Sequence, residues 1–142
     1  MYTGFQHLHS FLAYLFLAVM LAAVIHYIIA LSKKKDFGKA SGLLAVTGLS
    51  LAHLQLVVGI VLYFLSPLGF ANFGADAMGE SLQRLYIVEH PLINIIGIVL
   101  ITIGYSLAKR SATAVQKHKK LLIFYGIGTF LILLRIPWQV WP

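Results

Sequence analysis

Residues 8–31 read LHSFLAYLFLAVMLAAVIHYIIAL, a run without one formally charged side chain, and Ser32-Lys33-Lys34-Lys35 closes it. A helix needs about 20 largely apolar residues to cross a bilayer, so this segment is long enough. It lacks the basic start and small-residue cleavage site of a signal peptide, and is expected to stay as a helix. Working outward, the charges fall into clusters that leave three more such stretches, giving spans over about 8–31, 42–65, 85–108 and 121–140. Composition agrees: of 142 residues 60% are hydrophobic and 11% charged, and mean hydropathy is +0.89. A soluble domain of this size could not cover so much apolar surface. The expected fold class is an all-α membrane protein: one four-helix transmembrane domain over residues 1–142, an up-down-up-down bundle.

Orientation follows from the basic residues, because positively charged loops stay on the cytoplasmic side. Lys33, Lys34, Lys35 and Lys39 lie in the first connection, and Lys109, Arg110, Lys117, Lys119 and Lys120 in the third. Both are expected inside, which puts both termini and the 66–84 connection outside, on the periplasmic side of a bacterial inner membrane. The net charge of +7 is then mostly a topology signal. No nucleic-acid partner is expected, since neither basic loop interleaves aromatic residues. In the outer connection Gly69-Phe70-Ala71-Asn72-Phe73 reads as an aromatic ribbon, and Trp138 and Trp141 as an interfacial belt.

The chain has no cysteine, which removes thiolate sites, disulfides and iron-sulfur clusters, but six histidines against four acidic residues. Ionisable groups inside spans are costly and mark functional sites. Small and polar residues at helical spacing mark inward faces: His9, Ala13, Phe16, Met20 and Ala23; Gly48, Ala52, Gln55, Gly59 and Ser66; His90, Asn94, Gly97, Ile101 and Gly104. His9 and His90 both lie near the outer starts of spans running the same way, at most about 12 Å and about 9 Å in at 1.5 Å per residue. In this bundle their helices are diagonal. Two imidazoles reaching toward one central iron fit a b-type haem, with the glycines below His90 leaving a flat slot for the porphyrin.

Asn94 and Gln55 are candidates to hold the second ring nitrogens, and Gly97 and Gly59 to give the macrocycle room. His7 is the main rival to His9, which is preferred because Ala13 below it allows closer approach than Phe11 and Tyr14 near His7. His53 points away from the Gln55 stripe and is expected to bond to a second protein. A further haem between His26 and His118 is the weaker alternative, since a histidine among lysines is expected to be solvated. Arg135 is a candidate propionate partner by its two-pronged geometry, or else it ends the span and pairs with Glu89; Arg84 is a second candidate.

The stretches Leu8-His9-Ser10-Phe11-Leu12-Ala13-Tyr14, Gln55-Leu56-Val57-Val58-Gly59 and Glu89-His90 resemble one half of the haem A synthase family and the wider group of small four-helix b-type membrane cytochromes. The opening Met1-Tyr2-Thr3-Gly4, the His-Leu-His-Ser run and Ile136-Pro137-Trp138 are also similar to a family of small bacterial "cytochrome b" membrane proteins. The first resemblance implies histidine ligation of haem by two helices entering from one side. The chain has a single such unit, and Ser10 stands where that family's motif carries arginine, so haem binding is implied rather than haem transformation. Two functions are carried forward. One is a one-electron carrier holding one haem b and working with a quinone or a larger respiratory complex in the lipid. The other is a cofactor-free accessory subunit of a larger membrane complex. A small transporter is disfavoured, there being no inverted repeat with broken helices.

Overall fold

A computed structural model of the chain describes residues 1–74 and 76–141. Four long helices carry the fold: α1 (Tyr2–Ser32), α2 (Lys39–Leu65), α3 (Ser81–Lys109) and α4 (Ala114–Leu134). The described residues contain no strand. α1, α2 and α3 are long and apolar enough to cross a membrane. Only 28%, 22% and 28% of their most apolar stretches are buried within the bundle, so most of that surface faces outward. Water would not tolerate apolar patches of this extent, and lipid does.

The fourth helix differs from the expected 121–140 span at both ends. It starts at Ala114, because the Thr113 hydroxyl accepts the Gln116 N–H at 3.2 Å and caps a helical turn through the basic segment. It stops at Leu134, because Pro137 disfavours helical backbone at Ile136. The Trp138 indole N–H then donates to the Leu133 carbonyl at 3.0 Å and satisfies one of the open acceptors. This leaves 121–134 as the apolar part of α4, roughly 21 Å at 1.5 Å per residue. The 66–84 connection forms short 3₁₀ turns at Phe70–Asn72 and Asp76–Met78, and α3 begins before the expected residue 85.

α1 packs on α2 and α4, and α3 packs on the same two, so α1 and α3 are diagonal. Phe16, Met20, Ala23 and Tyr27 of α1 meet Ala45 and Ala52 of α2, Ile98 and Ile101 of α3, and Leu121 and Tyr125 of α4 in one core. The closest approach is between α3 and α4. A Cβ added at Gly97 would lie 2.8 Å from the Gly128 carbonyl oxygen, and one added at Gly128 would lie 2.7 Å from that of Gly97. The obstruction in each case is backbone, which cannot step aside. Gly97→Ala is therefore expected to push the two helices apart and lower stability in detergent by about 1–3 kcal/mol through overpacking. Gly126→Ala is the control: its Cβ meets nothing within 4 Å, so thermal unfolding should be unchanged or raised.

Candidate functional site

The chemistry of the outer end begins with Pro91. Proline has no N–H and its ring crowds the carbonyl four residues back, which here is that of Ile87. The helix responds with a single π turn, Leu85–Glu89, in which the His90 N–H bonds the Leu85 carbonyl. The Ile87 carbonyl is left without its helical partner, and the Tyr63 hydroxyl of α2 donates to it at 3.0 Å. α3 is thus widened and pinned to α2 one turn before His90.

His90 is fixed in turn by the far end of α4. Its Nδ1 lies 2.6 Å from the Arg135 carbonyl. A carbonyl only accepts, so Nδ1 carries the proton and Nε2 keeps a free lone pair. Asn94 Nδ2 donates to the His90 carbonyl at 2.5 Å, holding the first turn after the proline. On the diagonal helix, Gln55 Nε2 donates to the His9 carbonyl at 3.0 Å. Gly59 clears space for the His9 ring, since a Cβ there would come within 3.2 Å of its Cε1. The two imidazoles end with ring centroids 6.3 Å apart and planes at 73°. With metal–nitrogen bonds of about 2.0–2.1 Å, a centroid gap of this size has room for one metal atom once both rings turn a nitrogen toward it; in this structure His9 Nε2 lies 3.5 Å from Gln55 Nε2.

Both histidines line a cleft of about 550 Å³ that reaches from Ile98 in the bundle to Tyr2, Phe73 and Trp141 at the outer end. This volume falls in the range of small-molecule and cofactor sites. Phe16, Leu56, Ile98 and Ile132 supply apolar wall, and Tyr2, Gln6, Ser10 and Ser66 uncharged polar wall. Two buried polar atoms beside the cleft, His9 Nδ1 and Gln55 Oε1, have no hydrogen-bond partner. A flat aromatic ligand with a metal at its centre fits an apolar cleft flanked by two imidazoles. Among the described residues no lysine or arginine lines it, so anionic groups on such a ligand would rely on the hydroxyl and amide wall.

The remaining candidates are distributed as follows. His7 is exposed on α1 and lies outside the cleft lining. Gly97 is filled by the α3–α4 contact, so the slot expected below His90 is closed there, while Gly59 and Gly69 border the cleft. The Arg135 guanidinium is 46% exposed and pairs with Glu89 at 3.4 Å, while Arg84 holds the other Glu89 oxygen at 2.9 Å. Arg135 reaches the site by its carbonyl and not its guanidinium. His53 is exposed on the surface of α2, with its Nε2 3.0 Å from the Thr102 hydroxyl of α3. Tyr63 was absent from the sequence reading, although Pro91 four residues after Ile87 was the available sign of it, and Trp141, read as interfacial belt, lines the cleft.

The inner end holds a second cluster. His26 Nε2 lies 2.8 Å from the Ser41 hydroxyl and His118 Nε2 3.0 Å from the same oxygen, with Tyr27 donating to the Ser41 carbonyl at 3.0 Å. His118 is 1% exposed, contrary to a solvated residue: Phe37 and Tyr27 cover its ring. The Ser41 hydroxyl occupies the point between the two rings, and a neighbouring cavity of about 170 Å³ lies beyond Phe37 and Leu121.

His118 precedes the apolar part of α4, and burial, then the nearby His26, hold its imidazole below the ordinary 6.5. The unfolded chain therefore binds this proton more readily, so the stability from this group is complete above 6.5 and is lost as pH falls below it. Thermal unfolding in detergent should be flat above about pH 7 and decline toward about pH 5, by at most about 1.4 kcal/mol per pH unit for one proton. His118→Gln should reduce that slope; an unchanged slope would contradict the assignment. No family model, curated protein or solved structure matches this chain.

Proposed function

We propose that the outer cleft binds one haem b, that His9 and His90 would hold its iron, and that the chain is a membrane electron carrier. The observation that carries this reading is the pair of imidazoles from diagonal helices, 6.3 Å between centroids, lining an apolar cleft of about 550 Å³. A haem held by two histidines supplies a reversible one-electron change at iron and leaves no open position for oxygen chemistry.

Each protein group then has a stated task. The Arg135 carbonyl accepts a hydrogen bond from His90 Nδ1–H and would leave Nε2 for the metal, the backbone partnership usual for ligating histidines. Gln55 and Gly59 set the height and tilt of His9 from α2. Phe16, Leu56, Ile98 and Ile132 exclude water from the rings' inner side. Tyr2, Gln6, Ser10 and Ser66 would meet the propionates by hydrogen bonds alone. The electron partner, a quinone in the bilayer or a larger respiratory complex, would approach at the outer end, where Trp141 joins the cleft wall to Tyr14 with ring centroids 4.6 Å apart.

The membrane sidedness is part of this proposal: both termini and the cleft on the periplasmic side, and the basic connections in the cytoplasm of a bacterial inner membrane. Reporter fusions at the C-terminus and in the 109–113 connection should report opposite sides.

The cofactor itself is tested by expressing the full chain with haem supplied and recording the dithionite-reduced visible spectrum. A sharp α-band in the b-type region is expected. His9→Ala and His90→Ala should each abolish or strongly reduce it, while His7→Ala and His53→Ala should leave it intact. No α-band in the folded wild type, or haem retained in both the His9 and the His90 variants, would overturn the proposal.

A further inference from the structure

The inner end carries a cavity that the proposed function does not use. It is a slot of about 170 Å³ bounded by α2, α3, α4 and the α1–α2 connection, with Gly42, Ala45, Val46, Ala108 and Leu121 as apolar wall. Lys109 and Lys117 also line it. Lys109 is the last residue of α3 and Lys117 lies in the first turns of α4, so both ammonium groups belong to the level where helices end and headgroups begin. The Lys117 ammonium is held 5.3 Å over the Phe37 ring, itself part of the wall.

Charge makes this end unlike the other. Among the described residues both ion pairs lie at the outer end, on Glu89, and neither slot lysine has a carboxylate partner. Nine basic residues crowd the inner connections and helix ends against Asp36 alone. The slot is smaller than sites for drug-sized ligands, which start near about 300 Å³, but it is open to the surroundings and mostly apolar.

We infer that this slot binds one anionic phospholipid, with an acyl chain along Val46, Ala45 and Leu121 and the phosphate between Lys109 and Lys117. Basic pockets between spans on the cytoplasmic side recognise acidic lipid headgroups in this way. The inference does not depend on what fills the outer cleft.

The test uses the full chain reconstituted with equal phosphatidylglycerol and phosphatidylcholine, then released for native mass spectrometry. One phosphatidylglycerol per chain should be retained in preference to phosphatidylcholine. Lys109→Gln with Lys117→Gln should weaken its retention about 25-fold, at about fivefold for each basic residue near the surface. Lys33→Gln with Lys34→Gln removes the same charge away from the slot and should change retention little. Val46→Trp fills the slot from its exposed side without altering charge, and should remove the bound lipid while circular dichroism shows helicity intact. Undiminished retention in folded Val46→Trp, equal losses in the two lysine pairs, or displacement of the lipid by millimolar inorganic phosphate would each overturn the proposal.

Discussion

In hydrocarbon every backbone N–H and C=O must find a partner within the protein, and the site of this bundle is built where that rule is strained. Pro91 removes a donor from α3, and Tyr63 of α2 supplies another to the Ile87 carbonyl. α4 ends at Leu134 with open acceptors, and His90 and the Trp138 indole donate to the carbonyls of Arg135 and Leu133. At the inner end Tyr27 and Tyr125 donate to the carbonyls of Ser41 and Ala45. Apart from the Trp138 bond, which closes the end of α4 on itself, each repair crosses from one helix or its flanking segment to another. The bonds that satisfy the backbone thereby tie the four helices together and, in the case of His90, choose which ring nitrogen is free.

That economy explains why the two ends of the bundle differ although each holds two histidines with ring centroids 6.3 Å apart. At the inner end Ser41 stands between the rings and satisfies both Nε2 atoms, and Tyr27, Phe37 and Leu121 pack the space around them. The point between the rings is filled there, although His118 Nδ1 is left without a hydrogen-bond partner. At the outer end the rings look into a cleft, and His9 Nδ1 and Gln55 Oε1 remain unpartnered. Leaving a buried polar atom unmatched costs about 1–3 kcal/mol, so an occupant with a bonding group there would add stability as well as function.

Much of this was legible from residue type and spacing. The apolar runs and their charged borders locate the first three helices to within a few residues, and the small-residue stripes mark the faces that pack or line the cleft. Helical phase also separates His9 from His7, two residues apart on one turn. What spacing could not supply was the pairing between helices. Gly97 reads as an open slot until Gly128 is seen against it, and Arg135 reads as a cation until its carbonyl is found at His90. His118 sits among lysines yet is buried, because α4 starts seven residues before its apolar run and turns that side chain inward. The end of α4 was misjudged because Ile136, Trp138 and Val140 were read as carrying the span on, while the backbone obeys Pro137.

The central claim is that His9 and His90 converge on one iron. The most direct measurement is low-temperature electron paramagnetic resonance of the oxidised, haem-loaded full chain. The account predicts a low-spin ferric signal typical of two imidazole ligands, converted to high spin or lost when either His9 or His90 is replaced by alanine. A high-spin signal in the wild type, or a low-spin signal that survives in both variants, would contradict it.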